Sequence, residues 1–522
     1  MKKSFLLDSA SAVLLGIILT FAFAPYEIFP LSLISMAGLL LLWQKVSPSA
    51  KGAFWSGYFF GLGYFGAGVY WVYISIHTFG DVPTPLAIFI TGGMIATLAL
   101  FPAATGYLLN RYFPLQTTEK LVFAFPAIWV CLEWLRSFLF SGFPWLLLGY
   151  SQTNSPLKGY APILSVYGVS LVLTMSSALI LIAVQRYQQK NLKSLYHNLL
   201  ALAMIWILGG ALSLIPWTIT EGKPISVSLV QGNIPQTIKW SPEYLQTSLT
   251  SYTEMTEPLW GKSDIIIWPE SAVPMPLQNI EDFINKLDEK AQDSHSALIL
   301  GIPIRTPDEK SYYNSIITLG KDRSVYTKRH LVPFGEYTPL YRVLANALRF
   351  MDIPMSEMTA GRLEQAPLVI GNIKILPSIC FEIAFPELIR SLDKSINMLL
   401  VLTNDAWFGD SNAQPQHLQM AAMRAIEFGK PLIFVSNDGI TAIINQNGQI
   451  ISRIPKGQAQ VLTDTIQPMY GITPWLTNGM DPMLFIFILF IAVAVIANKK
   501  ASRVTNRKPD SLINENNNGR TI

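Results

Sequence analysis

Apolar residues fall along the chain in long runs near its two ends and in short, interrupted runs between them. Eight stretches, 8–24, 27–43, 53–77, 86–108, 121–141, 163–185, 196–216 and 472–497, stay apolar over roughly the 20 residues a helix needs to cross a bilayer. The fifth holds Glu133 and Arg136. Charges at that depth pair, face a polar cavity or lie near an interface, so either a salt-bridged pair or a segment that ends early fits the pattern. From Ile225 the pattern changes to short β-branched runs broken by turn residues. Strands are predicted over 225–233, 264–270, 297–304, 313–320, 324–331, 373–380, 398–405, 431–438 and 441–451, and helices near 243–256, 279–292 and 414–428. Runs such as 265–268 and 399–402 are apolar without alternation, which suits strands buried on both faces.

The pattern therefore predicts an α-helical membrane bundle of seven spans over 1–217 and a layered α/β domain over 220–470. A final transmembrane helix over 472–497 follows, then a tail over 498–522 that turns polar and Asn-rich from Asn506 and reads as disordered. Leu340, Val343, Leu344, Ala347, Leu348 and Met351 recur at helical spacing, with Arg342, Asn346 and Arg349 elsewhere on the wheel. They suit a core helix or one lying in the lipid interface.

Composition agrees with a membrane protein: the 522 residues are 51% hydrophobic and 14% charged, against about one quarter charged in soluble proteins. The net charge of +4 is scattered, which leaves no nucleic-acid footprint. Basic residues set the orientation. Lys2, Lys3, Lys45, Lys51, Arg111, Lys120, Arg186, Lys190, Lys193, Lys499, Lys500 and Arg503 flank one set of span ends, while 25–30 and 78–85 have none and only Arg136 and Lys158 lie near the 142–162 loop. Both termini are expected in the cytoplasm and the α/β domain on the opposite face. A cleaved leader ending at Ala22-Phe23-Ala24 competes for the first span, but Asp8 and Ser9 shorten its core and Pro25 follows the site. The two cysteines lie far apart, so no disulfide framework is expected. Cys131, within an apolar run, reads as an inert buried thiol. The five histidines lack metal-ligand spacing; His330 and His417 read as structural, and no metal or cofactor is expected.

The candidate chemistry lies where strands end. Cys380 closes an apolar strand beside Glu382, and reactive groups gather at strand ends in open α/β sheets. Read alone, it is a small buried hydrophobe. Glu270 closes DIIIWPE; as a base for a thiol it needs a raised pKa, which desolvation beside Trp268 supplies. Lys328 reads alone as a surface lysine, but a buried ammonium there stabilises a thiolate and an oxyanion.

With their surroundings, VQGNIPQTIKW (230–240), WPES (268–271), KRHLVPFGEY (328–337), ICFE (379–382), NDAWFGDS (404–411) and MRAIEFGKPL (423–432), these residues resemble the carbon–nitrogen hydrolase (nitrilase) superfamily. Spans on both sides narrow the resemblance to its apolipoprotein N-acyltransferase branch, in the bacterial cytoplasmic membrane. That resemblance implies an αββα sandwich, Cys380 as nucleophile, Glu270 as general base and Lys328 as oxyanion-stabilising cation. It gives Glu336, Glu382 and Trp240 supporting roles. Relatives often carry Tyr after the nucleophile; here it is Phe381. The implied partners are a membrane phospholipid as acyl donor and the diacylglyceryl-cysteine amine of an apolipoprotein as acceptor, with the enzyme working as a monomer. A tethered amidase would share the three residues but needs only one span. A transporter would need polar groups along the spans, where Asp and Glu are almost absent.

Overall fold

The computed structural model describes residues 2–337, 358–390 and 395–506. The interfacial-helix reading of 340–351 and the tail from 507 lie outside the described residues.

Helices occupy the chain from Lys2 to Leu212. Thr84–Tyr112, Pro156–Gln188, Leu192–Leu212 and Asp481–Arg503 are long and apolar enough to cross a membrane singly. Ala50–Gly68 and Trp71–Phe79, bent by 52°, together pass as a fifth, and Phe5–Thr20 and Pro30–Val46 are shorter apolar helices. Phe89, Ile207, Phe485 and Ile488 hold large apolar side chains outward, a surface that suits lipid rather than water. The last helix starts at Asp481, after a separate turn Pro474–Asn478, and runs on to Asn506.

The segment around Glu133 decides between the two sequence readings. Helix Phe125–Arg136 ends early, at Arg136, and among the described residues the two charges form no ion pair with each other. Arg136 instead donates to the carbonyls of Phe143 and Trp145 at 2.8 and 2.7 Å, while Glu133 Oε1 accepts from Leu148 N at 2.9 Å and Trp129 Nε1 at 3.1 Å. They satisfy the irregular backbone of 137–160, whose Trp145–Tyr150 stretch is buried; non-helical backbone at this depth is tolerated only inside protein. Cys131, expected to be buried, is exposed on the bundle surface because it faces away from the core side of its helix.

Two six-stranded sheets follow. One runs Gln460–Ile466, Ile225–Gln231, Ile265–Ile267, Ala297–Arg305, Tyr312–Leu319, Val325–Thr327; the other Ile450–Ile454, Thr441–Ile444, Leu432–Ser436, Met398–Thr403, Ile373–Ile379, Leu368–Ile370. Central pairs are parallel and outer pairs antiparallel. The two-residue period of a strand decides the layers. Val227, Leu229, Ile267 and Ile299 meet Ile375, Leu400, Leu402 and Ile433 between the sheets. Their alternates Val230, Ile266 and Leu300 pack on Leu249, Tyr252, Ile284 and Leu287 of helices Pro242–Thr256 and Glu281–Asp293. Leu376, Leu399, Val401 and Phe434 pack in the core that includes helix Ala413–Phe428 and the membrane helices. The result is an αββα sandwich with one outer helix shared with the bundle.

One predicted strand was two: 441–451 folds as a hairpin, turned by Asn445, whose Oδ1 accepts from Asn447 N and Gln449 N at 3.0 Å each. The strand at 264–270 is shorter than predicted, since Pro269 has no N–H to extend the ladder. Edge strand Gln460–Ile466 escapes the pattern because its outward residues are polar and exposed.

Candidate active site

Cys380, Glu270 and Lys328 each stand just past a strand, Ile373–Ile379, Ile265–Ile267 and Val325–Thr327. Lys328 Nζ lies 2.8 Å from Glu336 Oε1 and 3.8 Å from Glu270 Oε1, with all three side chains buried. Asn314 Nδ2 donates to both carboxylates, at 2.7 Å to Glu270 and 3.1 Å to Glu336. The second oxygen of Glu270 accepts from Asn404 N at 2.8 Å, and that of Glu336 from Val332 N at 2.8 Å. Every carboxylate oxygen in the site therefore has a donor, so a charge can be kept there without water.

Burial sets the proton affinities. It raises Glu270 above the ordinary carboxylate range; Lys328 opposes this and Glu336 adds to it. Burial alone would lower Lys328, but Glu336, then Glu270 and Cys380, outweigh it and hold the ammonium above its usual range. The Cys380 thiol is also pushed up by burial, with Glu270 adding and Lys328 and the Thr403 hydroxyl pulling back. Burial thus favours the thiol form of Cys380 and raises the basicity of Glu270, to which it is coupled electrostatically, a combination able to pass a proton between them.

The backbone at Cys380 is held in an unusual conformation. Cys380 has φ +51°, in the left-handed region that non-glycine residues enter at a cost of roughly 1–3 kcal/mol. Bonds on both sides support it. Ile379 N donates to Glu382 Oε2 at 2.7 Å, and His417 Nε2 lies 3.1 Å from the Cys380 carbonyl. Glu382, fully buried, also accepts from Arg329 N at 2.7 Å, His330 N at 3.1 Å and Tyr326 OH at 2.9 Å. It ties the turn after Lys328 to the strand before Cys380 without joining the Glu270–Lys328–Glu336 network. Trp240 is not brought into that network: among the described residues its buried indole N–H has no partner. Its neighbour Lys239 is, donating to the Glu270 carbonyl at 3.0 Å, with burial pushing its ammonium down to about 8.

His330 packs on Phe385 with ring centroids 4.0 Å apart, and burial, with Lys328, pushes it down to about 4, so it is neutral at physiological pH. Phe381 packs against Phe385, Trp145 and Phe143, the last two contributed by the irregular segment beside the membrane helices. Sequence reasoning missed Lys239, Asn314, Asn404 and Asp405 as site residues. Asn314 carried a usable signal, a polar residue in the middle of the apolar run YNSIITLG. Lys239, Asn404 and Asp405 sat inside motifs read only for their resemblance.

Two family models match the chain: the N-terminal domain of apolipoprotein N-acyltransferase over residues 15–179 and carbon-nitrogen hydrolase over 226–472. Apolipoprotein N-acyltransferases from Coxiella burnetii and Photobacterium profundum are 40% and 38% identical to it. The first match covers 94% of this chain and all of the relative; the second covers 95% and 96%. The enzyme of that name from Azotobacter vinelandii is 38% identical over 94% of this chain and 95% of its own. Among solved structures, a carbon–nitrogen hydrolase superfamily protein from Xanthomonas campestris covers 47% of this chain and 91% of its own, at 21% identity and TM-score 0.36. A Nesterenkonia amidase mutant of the nitrilase superfamily covers 51% and 98%, at 16% identity and TM-score 0.38. Identity of this level over nearly the full length of the curated relatives, on a membrane-helix and αββα framework, leaves one assignment: the chain is an acyltransferase and belongs to the apolipoprotein N-acyltransferase family.

Proposed function

We propose that the protein transfers a fatty acyl chain from a membrane phospholipid to the N-terminal amine of the diacylglyceryl-cysteine of apolipoproteins, through a thioester on Cys380. Glu270 takes the thiol proton as Sγ bonds to the ester carbonyl carbon. Lys328 and neighbouring backbone N–H groups hold the oxyanion. The carbon–oxygen bond then breaks, and the leaving oxygen takes the proton back from Glu270 as lysophospholipid. In the second half, the neutral amine attacks the thioester, the carbon–sulfur bond breaks, and the amine's proton passes by way of Glu270 to the thiolate. Glu336 fixes Lys328, and Glu382 fixes the turn that carries it. Trp240 is kept as a supporting residue, next to Lys239 in the chain.

The observation that carries this reading is the buried Lys328 ammonium shared between Glu336 at 2.8 Å and Glu270 at 3.8 Å, coupled electrostatically to Cys380. Aromatic contacts from the helical part, Trp145 and Phe143 against Phe381, support a site at the membrane surface where acyl chains enter and water is excluded. The skew of Lys and Arg among the span ends supports a periplasmic catalytic domain over 220–470 and cytoplasmic termini. The test is intact-protein mass spectrometry after incubation with phospholipid vesicles. An acyl-sized, hydroxylamine-sensitive increment is expected on wild type, absent from Cys380→Ala and discharged by a lipopeptide amine. No increment on wild type ends the thioester reading.

A further inference from the structure

Helix Ala413–Phe428 does more than cover a sheet. His417, fully buried on it, points one ring nitrogen at each of two oxygens: Nε2 lies 3.1 Å from the Cys380 carbonyl and Nδ1 lies 3.0 Å from Asp405 Oδ1. Asp405 is itself fully buried, and the same Oδ1 accepts from Thr403 Oγ1 at 2.8 Å. The ring is fixed by Trp145 at 5.9 Å and Phe434 at 5.2 Å between centroids. A carbonyl can only accept, so a hydrogen bond at Nε2 requires its proton. Asp405 lies where it can keep the ring turned that way, whichever of the two holds the proton between them.

The consequence reaches the reacting atoms through one peptide unit. The Cys380 carbonyl and the Phe381 N–H belong to the same planar group and point in opposite directions. Phe381 N–H heads the short turn Cys380–Ala384, where a first-turn donor has no partner within the helix, and among the described residues none is shown for it. It is therefore free for an oxyanion on the carbon bonded to Sγ. A donor pulling on the carbonyl polarises the group and strengthens its N–H as a donor. We propose that Asp405 and His417 are positioning residues that hold and polarise the Cys380–Phe381 peptide, tuning its N–H as an oxyanion donor in both half-reactions. This rests on the thioester reading above.

The test separates chemistry that builds an oxyanion from chemistry that does not. Acyl loading from phospholipid passes through a tetrahedral oxyanion; alkylation of the same thiol by iodoacetamide does not. His417→Phe should slow loading at saturating phospholipid by about two- to eightfold more than alkylation, a tenth to three tenths on a logarithmic scale of a donor worth about a hundred- to a thousandfold. His417→Gln, which keeps an N–H for the carbonyl, should recover most of the loss. Asp405→Asn tests the orienting contact and should fall between them. The proposal is overturned if loading and alkylation fall together in His417→Phe, if neither falls in a folded variant, or if Gln gives no recovery. If His417→Phe does not fold, the Gln and Asn variants decide by the same ratio. Wild-type loading, measured alongside, reports on the thioester reading independently.

Discussion

Lys328 lies nearer to Glu336, at 2.8 Å, than to Glu270, at 3.8 Å, so the acid in closest contact with the ammonium is not the one proposed to take the thiol proton. This division leaves Glu270 free to act as a base, because a carboxylate in full contact with a cation loses basicity. Glu336→Gln should remove the division. Glutamine can still accept from Lys328, but among the described residues Glu270 is then the one carboxylate within ion-pair distance of the ammonium, and it is drawn into the closer contact. Acyl loading measured by intact mass should fall by up to about a hundredfold, the cost of an ångström-scale misplacement, with the thermal midpoint changed far less. Unchanged loading would show that Glu336 does not set the geometry.

The pH dependence of loading follows from Glu270. Burial raises its pKa, so as pH falls it gains a proton while an ordinary glutamate, titrating near about 4.3, is still ionised. Single-turnover loading should therefore decline with an acid limb whose midpoint lies clearly above that value. Activity returns as pH rises through the midpoint, since only the ionised form takes the thiol proton. Glu336→Gln should lower the midpoint, because it removes a like charge and brings Lys328 closer. A midpoint at the ordinary glutamate value would remove Glu270 as the buried base.

Glu382 should behave as a structural residue with catalytic consequences. Its two oxygens accept four bonds, from Ile379 N, Tyr326 OH, Arg329 N and His330 N. Glutamine supplies one acceptor oxygen and turns an NH2 group toward donors, leaving buried donors unpaired at about 1–3 kcal/mol each. Glu382→Gln should lower both the thermal midpoint and loading, whereas Glu270→Gln should lower loading without a comparable loss of stability. Equal stability in the two variants would refute the structural assignment.

What the sequence made legible follows its periodicities. Apolar runs located the long helices, and the buried strands around 265, 399 and 433 emerged because a sandwich buries both faces of its central strands. Glu270, Lys328 and Cys380 stand out in the sequence because each stands at a strand end inside a recognisable motif, and the structure brings Glu270 and Lys328 within 3.8 Å of each other. Less visible was whatever depends on contacts between segments far apart in the chain. His417 reads as a core histidine until Asp405 and the Cys380 carbonyl are seen on either side of it. Glu133 and Arg136 read either as a pair or as the sign of a segment ending early; the helix does end there, and each charge serves backbone that no periodicity could place. The turn at Asn445 was legible in Asn445-Gln446-Asn447-Gly448, which interrupts the stretch read as one strand.

The last prediction concerns how the two parts of the molecule stay in register. Helix Ala161–Gln188 is broken at Ser165, with φ +61° and ψ −173°, and the freed Val166 N–H donates to Glu427 Oε1 at 2.7 Å while Ser165 Oγ donates to the same oxygen at 2.6 Å. The other oxygen of Glu427 lies 2.7 Å from Arg424 NH1, and Arg424 NH2 donates to Tyr150 OH at 3.1 Å. A fully buried ion pair on the sandwich helix thus caps a break in a membrane helix. Removing one partner strands a buried charge at about 3–5 kcal/mol, whereas replacing both by apolar residues of similar size is close to neutral for the pair itself. Arg424→Met alone should therefore unfold at a markedly lower temperature in detergent, and Glu427→Leu lower still, since it also strips the Val166 cap. The double variant should be more stable than Glu427→Leu alone, because no lone charge remains, yet below wild type by the worth of the lost cap. Additive losses in the double variant would mean that the two side chains are not energetically coupled across this junction.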